Sequence, residues 1–186
     1  MMIDFNEPKL IYFIGIGGIR MSGLARIMLK NGFKISGSDP AESDLTRALE
    51  REGAVIYYDQ TTHHIEDDVD LVVYTAAVKQ DNPEYIYMNE KGFDHMSRAE
   101  FLGLLMKNYK IPIAVAGTHG KTTTTSMLAE ILLEADTDPT LSVGGVLESI
   151  GTNTRPGGDR YFLFEACEYT DSFLHFFPKI SIILNV

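Results

Sequence analysis

Hydrophobic residues fall in short runs separated by stretches of helical spacing. Leu10 to Ile14 is an apolar run that stops at Gly15, and Leu24, Ile27 and Met28 then recur on one helix face until Asn31-Gly32. This predicts strand, tight turn and helix. Lys34 to Ser36 reads as a second strand, Ser43 to Glu52 as a helix capped by Ser43, Ala54 to Tyr57 as a third strand and Leu71 to Tyr74 as a fourth. Pro83 opens a helix as a first-turn proline, and Arg98 to Met106 forms another with Phe101, Leu102 and Leu105 on a common face. Alternating strands and helices predict a parallel sheet.

The pattern then restarts. Lys107 to Pro112 is polar and ends in a proline, which disfavours helix at the residue before it, so the domain boundary is expected between 108 and 109. Ile113 to Ala116 reads as a buried strand, followed by a glycine loop and a helix from Thr122 to Ala135 with Met127, Leu128, Ile131 and Leu132 facing inward. Tyr161 to Phe164 and Ile180 to Leu184 are further strands, and Gly144 to Gly158 between them is rich in turn residues. The expected fold class is α/β: a Rossmann-like parallel-sheet domain over 1–108, then a P-loop-type α/β domain over 109–186. That second unit, about 75 residues against the usual 100–150, is expected to be incomplete, as in a truncated fragment.

A formal charge of -10 argues against a nonspecific nucleic-acid binder, which needs clustered cations. An anionic ligand must instead be met by backbone N–H groups, a few placed cations or a divalent metal. There is no run of about 20 apolar residues and no basic-then-apolar leader, so a cytoplasmic protein without membrane insertion is expected. The single cysteine, Cys167, has no partner for an internal disulfide and reads as a small buried hydrophobe.

Gly117-Thr118-His119-Gly120-Lys121-Thr122 lies between an apolar strand and a helix, the setting of a phosphate cradle. Its glycines let backbone N–H groups approach phosphates, Lys121 can neutralise terminal phosphates, and the Thr122 hydroxyl can meet Mg²⁺. The four threonines from Thr122 to Thr125 are weak helix formers, so propensity did not select them. The common P-loop carries a glycine five residues before the Gly-Lys pair; Val115 stands there, so the loop is short. Gly15, Gly17 and Gly18, with Asp39 after the second strand, form a second candidate loop of dinucleotide type. Asp39 alone also reads as a turn residue before Pro40.

The short loop Gly-Thr-His-Gly-Lys-Thr-Thr resembles the ATP loop of the Mur ligases. So do Phe13-Ile-Gly-Ile-Gly-Gly-Ile, Gly37-Ser-Asp39, Tyr74-Thr-Ala-Ala77, Arg98-Ala-Glu100, Gly144-Gly-Val, Gly151-Thr-Asn153 and Glu165 to Leu174, in family order over essentially the whole chain. The resemblance implies ATP-dependent joining of L-alanine to UDP-N-acetylmuramate through an acyl phosphate, with Mg²⁺ as cofactor. It implies ATP contacts from Gly117, Thr118, His119, Gly120, Lys121, Thr122 and Thr123, with Lys121 and His119 acting nearest the chemistry. Gly15, Gly17 and Gly18 are implied at the UDP pyrophosphate, and Ser38 and Asp39 near the uridine. Thr122 and Glu165 are implied as metal ligands, with Glu168 as a competing carboxylate and Asp171 as a turn cap.

Arg20 stands where the resemblance has a glycine, and it can point outward, reach the phosphates or crowd them. His63 and His64 read as solvated residues ahead of an acidic turn. Three other readings stay open: a related muropeptide-recycling ligase, a nicotinamide-dependent oxidoreductase using the Gly15 loop, and a noncatalytic nucleotide-binding module. Oligomeric state is not legible.

Overall fold

The structure is a computed structural model that describes residues 3–5, 7, 9–166 and 174–185. Cys167, Glu168 and Asp171 lie outside the described residues. Packing divides the chain into two compact units, one from Asp4 to Phe101 and the other from Leu102 onward together with Ile3.

The first unit runs β1 (Leu10–Ile14), α1 (Ile19–Lys30), β2 (Lys34–Ser38), α2 (Asp44–Arg51), β3 (Val55–Tyr57), β4 (Leu71–Tyr74), α3 (Pro83–Lys91), β5 (His95–Ser97) and the start of α4 (Arg98–Met106). The strand order is β3-β2-β1-β4-β5, and every pair is parallel. β5 is an addition to the expected strands. Its three residues are a histidine, a methionine and a serine, and pairing with β4 rather than apolar patterning defines it. β1 is covered on both faces, as a central parallel strand must be. One face packs Tyr12, Ile14, Val72 and Met88 together, and on the other Phe13 meets Phe101 edge-on at 6.0 Å.

Helix ends follow local chemistry. The Ser43 Oγ accepts from the Thr46 N–H at 3.2 Å while the Thr46 Oγ1 accepts from the Ser43 N–H at 2.9 Å, a reciprocal cap on α2. Pro83 occupies the first turn of α3, whose cap is the Asn82 side-chain oxygen bonded to the amides of Glu84 and Tyr85. Ser97 and Glu100 repeat the reciprocal arrangement at α4.

The second unit runs β6 (Ile111–Ala116), α5 (Lys121–Glu134), β7 (Thr140–Leu147), β8 (Thr152–Arg155), β9 (Tyr161–Glu165) and β10 (Ile180–Ile183). Its order is β10-β6-β9-β7-β8; β7 and β8 are antiparallel and the other pairs parallel. Two expectations are corrected. The turn-rich segment holds the second half of β7 and all of β8, because the antiparallel pairing of β7 with β8 supplies order that glycine and polar composition does not advertise. Met127 and Ile131 of α5 face outward at 62% exposure each; the buried positions are Thr125 and Ala129, with Leu128, Leu132 and Leu133 packed around the core of Val115, Leu141 and Leu163.

Candidate functional site

In the first unit, the β1–α1 turn sits at the carboxyl end of the sheet, where the chain leaves β1 toward β2 and later returns on the other side as β4. Open α/β sheets bind ligands at such a reversal. A cavity of about 630 Å³ lies there, lined by Gly15, Gly18, Asp39, Gln60, Thr75 and Lys79 among others. Gly15 has φ +82°, and a Cβ on it would lie 2.8 Å from the Thr75 methyl, so both backbone and space demand glycine. The amides of Gly15 and Ile16 donate to the Ser38 carbonyl at 2.8 and 3.0 Å, which ties the turn to the end of β2.

Asp39 acts as the turn residue and also borders the cavity. Its Oδ2 accepts from the Gly17 N–H at 2.8 Å and its Oδ1 from the Ala41 N–H at 3.2 Å, so it fastens the glycine turn while lining the cavity. Ser38 is fully buried and is absent from the lining. Its hydroxyl donates to Glu84 Oε2 at 2.6 Å, and Tyr12 donates to Glu84 Oε1 at 2.6 Å. Burial pushes the Glu84 carboxyl above its usual range, partly offset by the Ser38 and Tyr12 hydrogen bonds; burial and then Glu84 push the Tyr12 phenol up. This buried trio pins the first turn of α3 to β1 and β2, which sets Asn82 and Pro83 into the cavity wall.

Arg20 lies in the first turn of α1 and does not line the cavity. The cation that does is Lys79, in the turn between β4 and α3, which sequence reasoning passed over because it belongs to no motif. His63 is exposed as expected. His64 is not simply solvated: its ring stacks on Tyr57 at 3.8 Å and its Nε2 meets Asp59 Oδ1 at 2.8 Å, an interaction that holds the Asp59 carboxyl below its usual range.

In the second unit, β6 ends at Ala116 and the loop 117–120 leads directly into α5. Gly117 has φ +138° and Gly120 +80°, values that side-chain-bearing residues rarely adopt. Lys121 folds back so that its Nζ donates to the carbonyls of Gly117 and, at 3.3 Å, Thr118. Gly120 caps α5 without a side chain, so the first-turn amides, including those of Thr122 and Thr123, have no acceptor within the helix. Glu165, at the end of β9 and 9% exposed, faces Thr122: its Oε2 accepts from the Thr122 Oγ1 at 3.3 Å and its Oε1 from the Gly144 N–H at 2.7 Å. A Cβ on Gly144 would collide with that carboxylate. No local pattern in the sequence gives Gly144 a role, since its partner Glu165 lies 21 residues away.

Lys121, Thr122, Glu165 and the loop amides are therefore gathered at one helix start. The His119 side chain is exposed at the same loop. An ammonium, helix-start amides that lack an acceptor within the helix and two hard oxygen donors suit a polyphosphate with Mg²⁺, which prefers few protein oxygens and keeps water and phosphate as its remaining ligands. No cluster of three or more His, Cys, Asp or Glu occurs among the described residues, so a cage made by protein alone is not present there. Among the described residues no helix is long and apolar enough to cross a membrane.

Comparison with known proteins bears on the same two regions. Residues 10–110 match the profile described as Mur ligase family, catalytic domain, and residues 115–186 match the Mur ligase middle domain. A curated UDP-N-acetylmuramate--L-alanine ligase of Lachnospira eligens is 59% identical over 99% of this chain, and its counterpart in Clostridium perfringens is 55% identical over 100%. The chain spans 40% of the length of each. Among solved structures, UDP-N-acetylmuramate-alanine ligase from Thermotoga maritima gives a TM-score of 0.86 at 34% identity, covering 95% of this chain and 41% of that one. UDP-N-acetylmuramate:L-alanyl-gamma-D-glutamyl-meso-diaminopimelate ligase from Neisseria meningitides gives 0.88 at 30% identity, covering 96% and 61%.

Proposed function

The chain belongs to the Mur ligase family, and from that premise we propose that it carries the substrate and ATP sites of an enzyme joining L-alanine to UDP-N-acetylmuramate in peptidoglycan precursor synthesis. Residues 1–108 hold the UDP-sugar and residues 109–186 form part of the ATP-binding domain. The observation that carries this reading is the Thr122 hydroxyl facing the Glu165 carboxylate at 3.3 Å, behind Lys121 at the start of α5. The L-alanine acceptor is supported by relatives at 55–59% identity named for it, against 30% for the tripeptide ligase. A cytoplasmic address follows from ATP and a UDP-linked sugar being the substrates.

The chemistry joins two anions. A lactyl carboxylate oxygen bonds the γ-phosphorus of ATP as the bond to the leaving ADP breaks, giving an acyl phosphate. The alanine amine then bonds the acyl carbon, inorganic phosphate leaves and the nitrogen loses a proton, which completes the amide. Charge repulsion is the main barrier, and fixed positive charge and amide dipoles lower it. Lys121 releases the loop carbonyls and takes up the terminal phosphates, while the amides of Gly120, Thr122 and Thr123 face the phosphate oxygens. His119 stands beside them. Thr122 and Glu165 would hold Mg²⁺, which screens the phosphate charge when bound.

In the other unit, the Gly15 and Gly18 backbone approaches the pyrophosphate, Gly17 is kept in place by Asp39, and Asp39 lies toward the uridine. Lys79 supplies the positive charge that an acidic protein must place locally. Isothermal titration tests the reading: the chain is expected to bind UDP-N-acetylmuramate and magnesium ATPγS, and Lys121→Ala to lose the nucleotide while keeping the UDP-sugar. Undiminished ATPγS binding by Lys121→Ala refutes the ATP assignment.

A further inference from the structure

Beyond β10 the ladder with β6 continues for one residue, because the Leu184 N–H donates to the Ala116 carbonyl at 3.0 Å. The next residue, Asn185, therefore arrives over the glycine loop. Its Oδ1 accepts from the Thr118 N–H at 2.7 Å, the Thr118 hydroxyl at 2.7 Å and the His119 N–H at 3.2 Å. Its Nδ2 donates to the His119 carbonyl at 3.2 Å. A Cβ on Gly117 would lie 3.1 Å from the Asn185 Oδ1 and 3.2 Å from the Leu184 Cβ, so the strand end and the loop are fitted closely to each other.

We propose that Asn185 is a positioning residue for the nucleotide, clamping loop 117–120 from outside in the shape that receives phosphates. The inference rests on reading this loop as the ATP site. A loop bounded by two glycines of positive φ is costly to order, and ordering it before the ligand arrives removes that cost from binding. The clamp is two-sided, since one carboxamide both accepts from the loop and donates to it. Its contacts end at His119, before the first turn of α5, so the amides of Thr122 and Thr123 are left to the ligand. A neutral oxygen also does this without placing a negative charge beside an incoming phosphate. Aspartate would keep the acceptor, lose the donor and add that charge.

The test compares the wild-type chain with Asn185→Ala and Asn185→Asp. Titrations use magnesium ATPγS and magnesium tripolyphosphate, and NMR hydrogen exchange follows the Thr118 and His119 amides. Asn185→Ala is expected to weaken both ligands about tenfold, as lost preorganisation would, and to speed exchange at those two amides while the melting temperature stays within a few degrees. Asn185→Asp is expected to keep both amides protected yet bind both ligands more weakly, with the deficit shrinking as salt screens the added charge. Equal or tighter binding by Asn185→Ala, or unchanged exchange at Thr118 and His119, overturns the proposal. Were the wild type to bind neither ligand, the ATP reading itself would fall; wild-type binding with an unaffected Asn185→Ala removes the clamp alone.

Discussion

Individual side chains carry the sharpest consequences. Gly144 leaves room for the Glu165 carboxylate and bonds it through its amide, so Gly144→Ala is expected to displace Glu165 and weaken magnesium-dependent ATPγS binding by about tenfold or more, since a charged ligand's donor is lost with it. Calorimetry with and without magnesium checks this, and a variant that retained the magnesium dependence would speak against the Glu165 assignment. Lys79→Gln is expected to weaken UDP-N-acetylmuramate binding and to flatten its salt dependence, whereas Arg20→Gly, away from the cavity lining, should change that dependence little. Glu84 has a pH signature. Its folded carboxyl titrates above the roughly 4.3 of an unfolded glutamate, so its contribution to stability is complete below that value and is lost as pH rises through the folded value. Urea unfolding of wild type and Glu84→Gln from pH 4 to 8 should show the wild type losing ground to the variant as pH rises, with a plateau once Glu84 is ionised.

At the level of elements, the caps were legible because they are local. Ser43 was named as the cap of α2 from its position alone, and Ser43→Ala is expected to destabilise the protein by about 1 kcal/mol, measurable as a fall in the urea midpoint at constant slope. β1, α1 and the loop before α5 were legible for the same reason: an apolar run ending in glycine and followed by helical periodicity is a statement about neighbours in sequence. α5 was read correctly at Leu128 and Leu132 and wrongly at Met127 and Ile131. Thr125 and Ala129 are small and lie against the sheet, so ranking residues by hydrophobic bulk sent Met127 and Ile131 inside when they face out. β7 and β8 were hidden because their glycines, threonines and asparagine resemble a loop until β7 pairs with β9 on one side and β8 on the other. The site divides likewise. Lys121, Thr122 and Glu165 could be read from motif and strand end, but Gly144, Lys79 and Asn185 act through partners 21 or more residues away or through a cavity wall, and no local pattern announces that.

At the scale of the whole molecule, the proposed function gives each sheet its own ligand edge, so UDP-N-acetylmuramate and ATPγS should leave separate footprints. Hydrogen exchange with mass spectrometry is expected to show UDP-N-acetylmuramate protecting peptides around Gly15–Gly18 and Lys79–Pro83, and magnesium ATPγS protecting peptides around Gly117–Thr123 and Gly144. Protection of the Gly117 loop by the UDP-sugar alone would contradict this allocation. β10 has a further consequence. It closes one margin of its sheet, and Ile180 and Ile183 stand 46% and 67% exposed along it. Among the described residues β10 is an edge strand, and the outward backbone groups of an edge strand beside apolar side chains invite strand-to-strand adhesion between copies, so concentrated solutions of this polypeptide should scatter light increasingly with time, and Ile183→Lys should keep them clear.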